Sequence, residues 1–219
     1  VDSMTVANSR QRGIYMQGAN LTITNNKIMT TRGKTNVAGI YLFSGYPSIT
    51  ASNRAVIQGN TIFNTNSLAS DPQNSASAYG IYAAGFVDLL IRDNSVFNTW
   101  VKANTTTYSS AAGIMINQML GVCAQACATD PVGGLVVQDN NVSNSIVITR
   151  TASPNLTGIQ ISYPGDHAIV SGSKIMLMNT GIDVGNSWGS WPNTPPVLLL
   201  NNTITSAITP IVGGVTLPQ

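Results

Sequence analysis

The amino-acid sequence predicts an all-β protein that coils as a parallel β-helix, a solenoid of about six to seven coils. The first observation is composition: the 219 residues include 23 Asn, 21 Ser and 23 Thr, which favour turns and strands. The second is a recurring Gly-Ile pair, and the third is an asparagine bend that follows each pair. No 3.6-residue periodicity is sustained between these features, so we expect no crossover helix.

Each repeat begins with a short alternating strand that contains a Gly-Ile pair. Alternation directs the isoleucine inward and the next residue outward. The glycines of these pairs are Gly13, Gly39, Gly80, Gly113, Gly158 and Gly181. A strand fragment at residues 4–9 precedes the first pair and predicts part of one further coil.

The second element of each repeat contains a bend between two aliphatic residues. The central position of the bend holds Asn26, Asn60, Asn94, Asn140, Ser173 and Asn202. The position before it holds residue types that tolerate a left-handed backbone, namely Asn25, Gly59, Asp93, Asp139, Gly172 and Asn201. Stacked amides about 4.8 Å apart can donate and accept in turn, so we expect an asparagine ladder and two strand elements per coil.

Charge is sparse, because only 8% of residues are charged and all eight acids are aspartates. The net charge of +2 is too small and too scattered to indicate a nucleic-acid partner. No apolar run approaches the roughly 20 residues of a membrane span. We expect one β-helix domain over residues 1–219, a fragment of a longer chain, with residues 208–219 as a cap or linker. Oligomerisation would cover the open ends.

The residues after the isoleucines form one outward row, which is the first candidate binding surface. The row comprises Tyr15, Tyr41, Tyr82, Met115, Gln160 and Asp183. Three stacked tyrosines offer an apolar platform bordered by hydroxyls, which suits sugar rings. The alternative is that the stacked rings only stabilise a flat sheet.

Two groups of residues are candidates for acid–base chemistry. Asp93 and Asp139 occupy the same bend position in successive coils, either as a carboxylate pair or only as turn formers. The loops after the last two Gly-Ile strands leave one corner and bring further side chains together. The candidate catalytic residues there are Asp183, Asp166 and His167, and the candidate sugar-stacking residues are Tyr163, Trp188 and Trp191. The alternative is that Asp166 caps a turn, His167 packs, and the tryptophan loop covers the side of the solenoid.

The longest insertion carries the chain's two cysteines, Cys123 and Cys127. They either close a small disulfide, as in an extracellular protein, or stay unpaired. With one histidine in the whole chain, a Cys/His metal site is not expected. We expect no cofactor.

The repeat, written for example as "GIYLF" followed by "AVIQGNTI", resembles the right-handed parallel β-helices of the pectate-lyase-like superfamily. That superfamily includes polysaccharide lyases, epimerases, glycoside hydrolases and phage tailspike depolymerases, and the resemblance covers residues 4 to about 207. It implies a right-handed coil that binds or processes a polysaccharide outside the cell or on a virion surface, as a trimer if tailspike-like. It also implies that Arg92 and Arg150 can neutralise a substrate carboxylate, the alternative being that both are ordinary surface arginines without such a role.

The sequence departs from the catalytic signatures of these relatives. It has no aspartate cluster resembling the calcium site of pectate lyases, no Gly-His-Gly or Asn-Thr-Asp signature, and no glutamate. The sequence therefore leaves open whether the protein is an enzyme, and if so whether it is a polysaccharide lyase or a glycoside hydrolase. The alternative is a non-catalytic structural or adhesion module.

Overall fold

The computed structural model describes residues 1–44, 54–68, 76–86, 88–101, 110–117, 134–144, 155–162, 168–185, 197–213 and 215–216. These residues form strands and turns that wind as a right-handed parallel β-helix of seven coils, which confirms the predicted fold. No helix in these ranges has the length and hydrophobicity needed to cross a bilayer.

Each coil contributes three strands. The first three coils contain β1 (Thr5–Arg10), β2 (Arg12–Gln17), β3 (Leu21–Thr24), β4 (Lys27–Gly33), β5 (Val37–Phe43), β6 (Arg54–Gln58), β7 (Thr61–Ser67), β8 (Ser77–Ala84) and β9 (Asp88–Arg92). The next two contain β10 (Ser95–Val101), β11 (Ser110–Asn117), β12 (Leu135–Gln138), β13 (Asn141–Ser143), β14 (Asn155–Ser162) and β15 (Ile169–Ser171). The last two contain β16 (Lys174–Met176), β17 (Thr180–Gly185), β18 (Leu198–Leu200), β19 (Thr203–Thr205), β20 (Thr209–Val212) and β21 (Val215–Thr216).

The strands form three parallel sheets of seven strands each within the described residues. The first sheet has the order β1-β4-β7-β10-β13-β16-β19, and the second has β2-β5-β8-β11-β14-β17-β20. The third sheet runs from β3 through β6, β9, β12, β15 and β18 to β21. Every strand therefore pairs with its equivalents in the neighbouring coils.

The prediction of two strand elements per coil was wrong, because the asparagine bend divides the second element into two strands. In the first bend, Leu21–Thr24 belongs to the third sheet and Lys27–Gly33 to the first. Asn25 lies between them with a φ of 56°. Such a left-handed residue turns the chain sharply, so the aliphatic residues before and after it lie on different sheets.

Rows of aliphatic side chains fill the interior. The isoleucines of the Gly-Ile pairs align in register as Ile14, Ile40, Ile81, Ile114, Ile159 and Ile182, followed by Ile211. The first six are buried and form one core cluster with residues from the other two sheets. Burial of this apolar surface is the main force that holds the coils together.

The glycine of each pair is required by lack of space. A Cβ added to Gly13 would lie 2.5 Å from the carbonyl oxygen of Gly39 and 2.5 Å from a methyl carbon of Ile28. The same position in the next coil, Gly39, would place a Cβ 2.7 Å from the carbonyl oxygen of Gly80. Since a Cβ essentially never approaches other atoms so closely, only glycine fits where the first and second sheets meet.

The predicted asparagine ladder is present. Asn26 donates from Nδ2 to Oδ1 of Asn60 at 2.9 Å, and Asn60 donates in the same way to Asn94 at 3.0 Å. Asn94 donates in turn from Nδ2 to Oδ1 of Asn140 at 3.0 Å. At Ser173 the ladder changes, because its shorter side chain accepts only from the backbone N–H of Asn140, at 3.3 Å.

The residues before the ladder have the predicted left-handed backbone. Their φ angles lie between 51° and 66° at Asn25, Gly59, Asp93, Asp139, Gly172 and Asn201. A second left-handed position, which the sequence did not predict, recurs in or just after the strands of the first sheet. It is occupied by Asn8, Thr30, Asn64, Asn98, Leu177 and Ser206. Most residues at both positions are turn-forming types, because these residues adopt a left-handed backbone with little strain.

Candidate functional site

The predicted outward row lies on the outer face of the second sheet. Parallel pairing aligns, in order, Tyr15, Tyr41, Tyr82, Met115, Gln160, Asp183 and Val212. The register therefore confirms that six predicted residues share one row. With strands about 4.8 Å apart, the five steps from Tyr15 to Asp183 span about 24 Å.

The three tyrosines of the row do not form a platform of outward-facing rings. The rings of Tyr41 and Tyr82 stack with centroids 4.6 Å apart and an interplanar angle of 15°. The rings of Tyr15 and Tyr41 are 5.7 Å apart and tilted by 34°. Because Tyr41 and Tyr82 cover each other's faces, the most accessible ring is that of Tyr15, which is 49% exposed. Its hydroxyl donates to Oε1 of Gln17 at 3.1 Å.

Arg12 and Tyr79 belong to the same surface, although the sequence analysis did not select them. The guanidinium carbon of Arg12 lies 4.0 Å from the ring centroid of Tyr41 and 4.8 Å from that of Tyr15. The ring of Tyr79 lies 5.2 Å from that of Tyr82.

The sequence marks the position of both residues, because each lies three positions before a tyrosine of the row. Simple alternation places such a residue inward. However, both residues of the first Gly-Ile pair face the core, since a Cβ on Gly13 would contact Ile28 and Ile14 is buried. Alternation is therefore shifted by one residue, and Arg12 returns to the outer face.

The hydroxyls of Tyr41 and Tyr82 keep their protons over a wide pH range. Burial raises the pKa of Tyr82 well above its ordinary value of about 10. Burial also raises the pKa of Tyr41, and the positive charge of Arg12 partly opposes that shift. Both hydroxyls are therefore hydrogen-bond donors at neutral pH.

Asp183 is partly buried at the other end of the row. Burial raises the pKa of its carboxyl above the ordinary value of about 3.9. Within the described residues its carboxylate has no hydrogen-bond or ion-pair partner that would offset this effect. A carboxyl in such surroundings holds its proton to a higher pH, which is the property of a general acid.

Most of the group predicted around Asp183 lies outside the described residues. This holds for Tyr163, Asp166, His167, Trp188 and Trp191, and also for Arg150, Cys123 and Cys127. The grouping of Asp183 with these side chains therefore stays a prediction.

The bend carboxylates Asp93 and Asp139 have the backbone expected of turn formers. Their φ angles are 55° and 53°. Oδ2 of Asp93 accepts from Nε2 of Gln58 at 3.4 Å and lies 3.8 Å from Nε of Arg92. Arg92 in turn donates to Oε1 of Gln58 at 3.0 Å. Asp93 and Arg92 therefore belong to a surface network at the bend, away from the second sheet.

The described ranges contain no group of three or more His, Cys, Asp or Glu side chains placed to hold a metal ion. The coil architecture itself is that of a parallel β-helix repeat protein. Comparisons with protein-family models, with curated proteins and with solved structures found no match for the chain.

Proposed function

We propose that the protein binds an extended polysaccharide along the outer face of the second sheet, outside the cell or on a virion surface. The observation that carries this proposal is the single straight row from Tyr15 to Asp183. A row about 24 Å long, parallel to the solenoid axis, suits a linear polymer better than a small molecule. The pectate-lyase-like repeat pattern supports the same substrate class by resemblance.

The side chains of the row offer the contacts that sugars require. The half-exposed ring of Tyr15 provides an apolar surface for the C–H face of a sugar. The hydroxyls of Tyr41 and Tyr82 hydrogen-bond each other beside this ring, and the amide of Gln160 both donates and accepts hydrogen bonds. A few polar groups of this kind beside an aromatic surface are typical of ligand sites.

We further propose that Asp183 donates a proton if the bound polymer is cleaved. Its buried carboxyl has a raised pKa, which suits protonation of a glycosidic oxygen. Asp166 or His167 would act as the partner base, with Tyr163, Trp188 and Trp191 holding the neighbouring sugars. Hydrolysis and elimination both fit this division of roles.

Binding is tested on a panel of polysaccharides with the wild type and two matched aromatic variants. Tyr15→Ala removes the exposed ring of the row, and Phe63→Ala removes a ring of similar exposure, 41%, from the first sheet. We expect Tyr15→Ala to weaken binding by roughly fivefold, since stacking on an exposed ring contributes about 1 kcal/mol. Phe63→Ala should bind as the wild type does. Equal affinities for all three proteins would exclude this face.

Cleavage is tested on any polysaccharide that binds. Asp183→Asn should abolish release of oligosaccharides while binding persists, because the amide cannot supply the proton. Asp139→Asn, at a left-handed bend that asparagine also occupies in other coils, is the control. Unchanged release by Asp183→Asn would remove Asp183 from the mechanism.

The second candidate is a non-catalytic structural or adhesion module. The face-to-face contact of Tyr41 and Tyr82, at 4.6 Å, favours it, because stacked rings reinforce the axis of the solenoid. In that case no polysaccharide of the panel would bind to the wild type, and Tyr82→Ala would lower the free energy of unfolding.

A further inference from the structure

Basic side chains concentrate at one corner of the first two coils, where the first sheet meets the second. Arg10 ends β1 and Arg12 begins β2, while Arg32 lies near the end of β4 and Lys34 follows it. Arg10 and Arg32 are register partners in adjacent strands, so their backbones lie about 4.8 Å apart along the axis. We name these four residues the basic corner.

The positive charge of the basic corner is not neutralised by the described residues. In residues 1–44 and 54–58 the only acid is Asp2, which accepts hydrogen bonds from Thr24 and Asn25 at the asparagine bend, where the third sheet meets the first. Arg54 differs from the corner, because its Nε lies 2.8 Å from Oδ2 of Asp88. The basic corner is thus a local concentration of charge in a chain whose net charge is only +2.

Arg12 is held in place by aromatic rings while its hydrogen-bonding groups stay unused. Its guanidinium lies over Tyr41 and Tyr15, with centroid distances of 4.0 and 4.8 Å. Its Nε is buried and has no hydrogen-bond partner among the residues that the structure describes. Cation–π contact fixes the plane of the guanidinium, so its two terminal nitrogens are oriented in advance for an anionic acceptor.

We infer that the basic corner binds carboxylate or sulfate groups of an acidic polysaccharide, with Arg12 beside the sugar that contacts Tyr15. This inference rests on the proposed function and names the class of its polymer. Arginine's planar fork matches both anions with paired hydrogen bonds. Arg10 and Arg32, repeated along the axis, suit charges repeated along a polymer. The exposed ring of Tyr15 next to Arg12 favours a sugar over a bare anion or a lipid headgroup.

The test measures equilibrium binding of three oligosaccharides of equal length: a heparin fragment, an oligogalacturonate and a neutral dextran fragment. We expect an acidic fragment to bind at least tenfold more tightly than dextran, and its affinity to fall as salt rises. The double variant Arg10→Ser/Arg32→Ser should bind the acidic fragment roughly tenfold more weakly, and so should Arg12→Gln. Arg12→Lys should lose less affinity than Arg12→Gln, because lysine keeps the charge but not the paired donors. Lys174→Ser removes an exposed base from β16, far from the corner, and should bind as the wild type does.

The experiment distinguishes failure of the basic corner from failure of the proposed polysaccharide binding. Equal affinity for acidic and neutral fragments, without salt dependence, would overturn the basic corner and leave polysaccharide binding intact. If Lys174→Ser lost as much affinity as the double variant, the inference would also be overturned, because the loss would then follow from the lower net charge alone. Tighter binding of a single-stranded oligonucleotide or of anionic lipid vesicles than of any acidic fragment would overturn it as well. Unchanged thermal unfolding of Arg10→Ser/Arg32→Ser and Arg12→Lys would show that a loss of affinity does not reflect misfolding.

Discussion

The side-chain amide of Asn60 donates to Oδ1 of Asn94, 34 residues further along the chain, at 3.0 Å. The same nitrogen also lies 3.0 Å from the carbonyl oxygen of Ile23, in the preceding coil, and 3.1 Å from that of Gln58. One buried amide therefore connects three successive coils. Its own Oδ1 accepts from both the backbone and the side chain of Asn26.

Replacing Asn60 by alanine should cost about 2–4 kcal/mol in the free energy of unfolding. The reason is that the buried backbone N–H of Asn26 loses its acceptor and the carbonyl oxygen of Ile23 loses a donor, although the side-chain amide of Asn26 still donates to the carbonyl oxygen of Thr24. Urea denaturation measures the change. Thr22→Ala, at an exposed position of the neighbouring strand, is the control and should change stability by less than about 0.5 kcal/mol. Equal effects of the two substitutions would contradict a structural role for the ladder.

Replacing Ser173 by asparagine should raise the free energy of unfolding by about 1 kcal/mol. In the present chain Ser173 Oγ accepts only from the backbone N–H of Asn140, at 3.3 Å. An asparagine would supply an Oδ1 that can also accept from the side chain of Asn140, as each amide does higher in the ladder. The midpoint of urea unfolding should therefore increase. A decrease would show that the core around Ser173 is too tightly packed for the larger side chain.

Replacing Gly39 by alanine should destabilise the fold by about 2 kcal/mol or more. The added Cβ would lie 2.7 Å from the carbonyl oxygen of Gly80 and against a methyl group of Ile62. The backbone of the neighbouring coil cannot move away from the added Cβ without disturbing the hydrogen bonds of the sheet. Gly134→Ala is the matched control, because no atom lies within 4 Å of the Cβ added there. Thermal unfolding of the two variants tests the difference, and a tolerated Gly39→Ala would contradict close contact of the sheets.

Replacing Asp183 by asparagine should stabilise the protein at neutral pH but not below about pH 4. Burial raises the folded-state pKa of Asp183 above its unfolded value of about 3.9, so the folded protein holds the proton more tightly. The resulting stability is fully present below the unfolded pKa and is lost as pH rises through the folded pKa. An asparagine at this position does not ionise, so the variant does not lose stability in this way as the pH rises. Melting temperatures of both proteins between pH 3 and pH 7 should therefore diverge with rising pH, and a constant difference would contradict burial of the charge.

Much of the fold follows from residue types that repeat once per coil. Asn60 and Gly39 have equivalents in neighbouring coils, so the ladder and the contact between sheets were predictable from spacing alone. The division into β3 and β4 was not, because a bend at Asn25 does not by itself show that the strands before and after it belong to different sheets. Within the candidate site, the row of Tyr15 and Asp183 was predicted, whereas Arg12 was missed because the Gly-Ile pair shifts the alternation by one residue.

The order of the coils and the residues that share each row follow from the sequence, because amide hydrogen bonds and the space left by glycine depend on residue type and recur at every coil. The face-to-face contact of Tyr41 and Tyr82 and the position of Arg12 over Tyr41 are visible only in the folded structure. Both contacts join different coils: the first lies within one row, and the second connects neighbouring rows. They depend on side-chain rotamers that no single strand specifies.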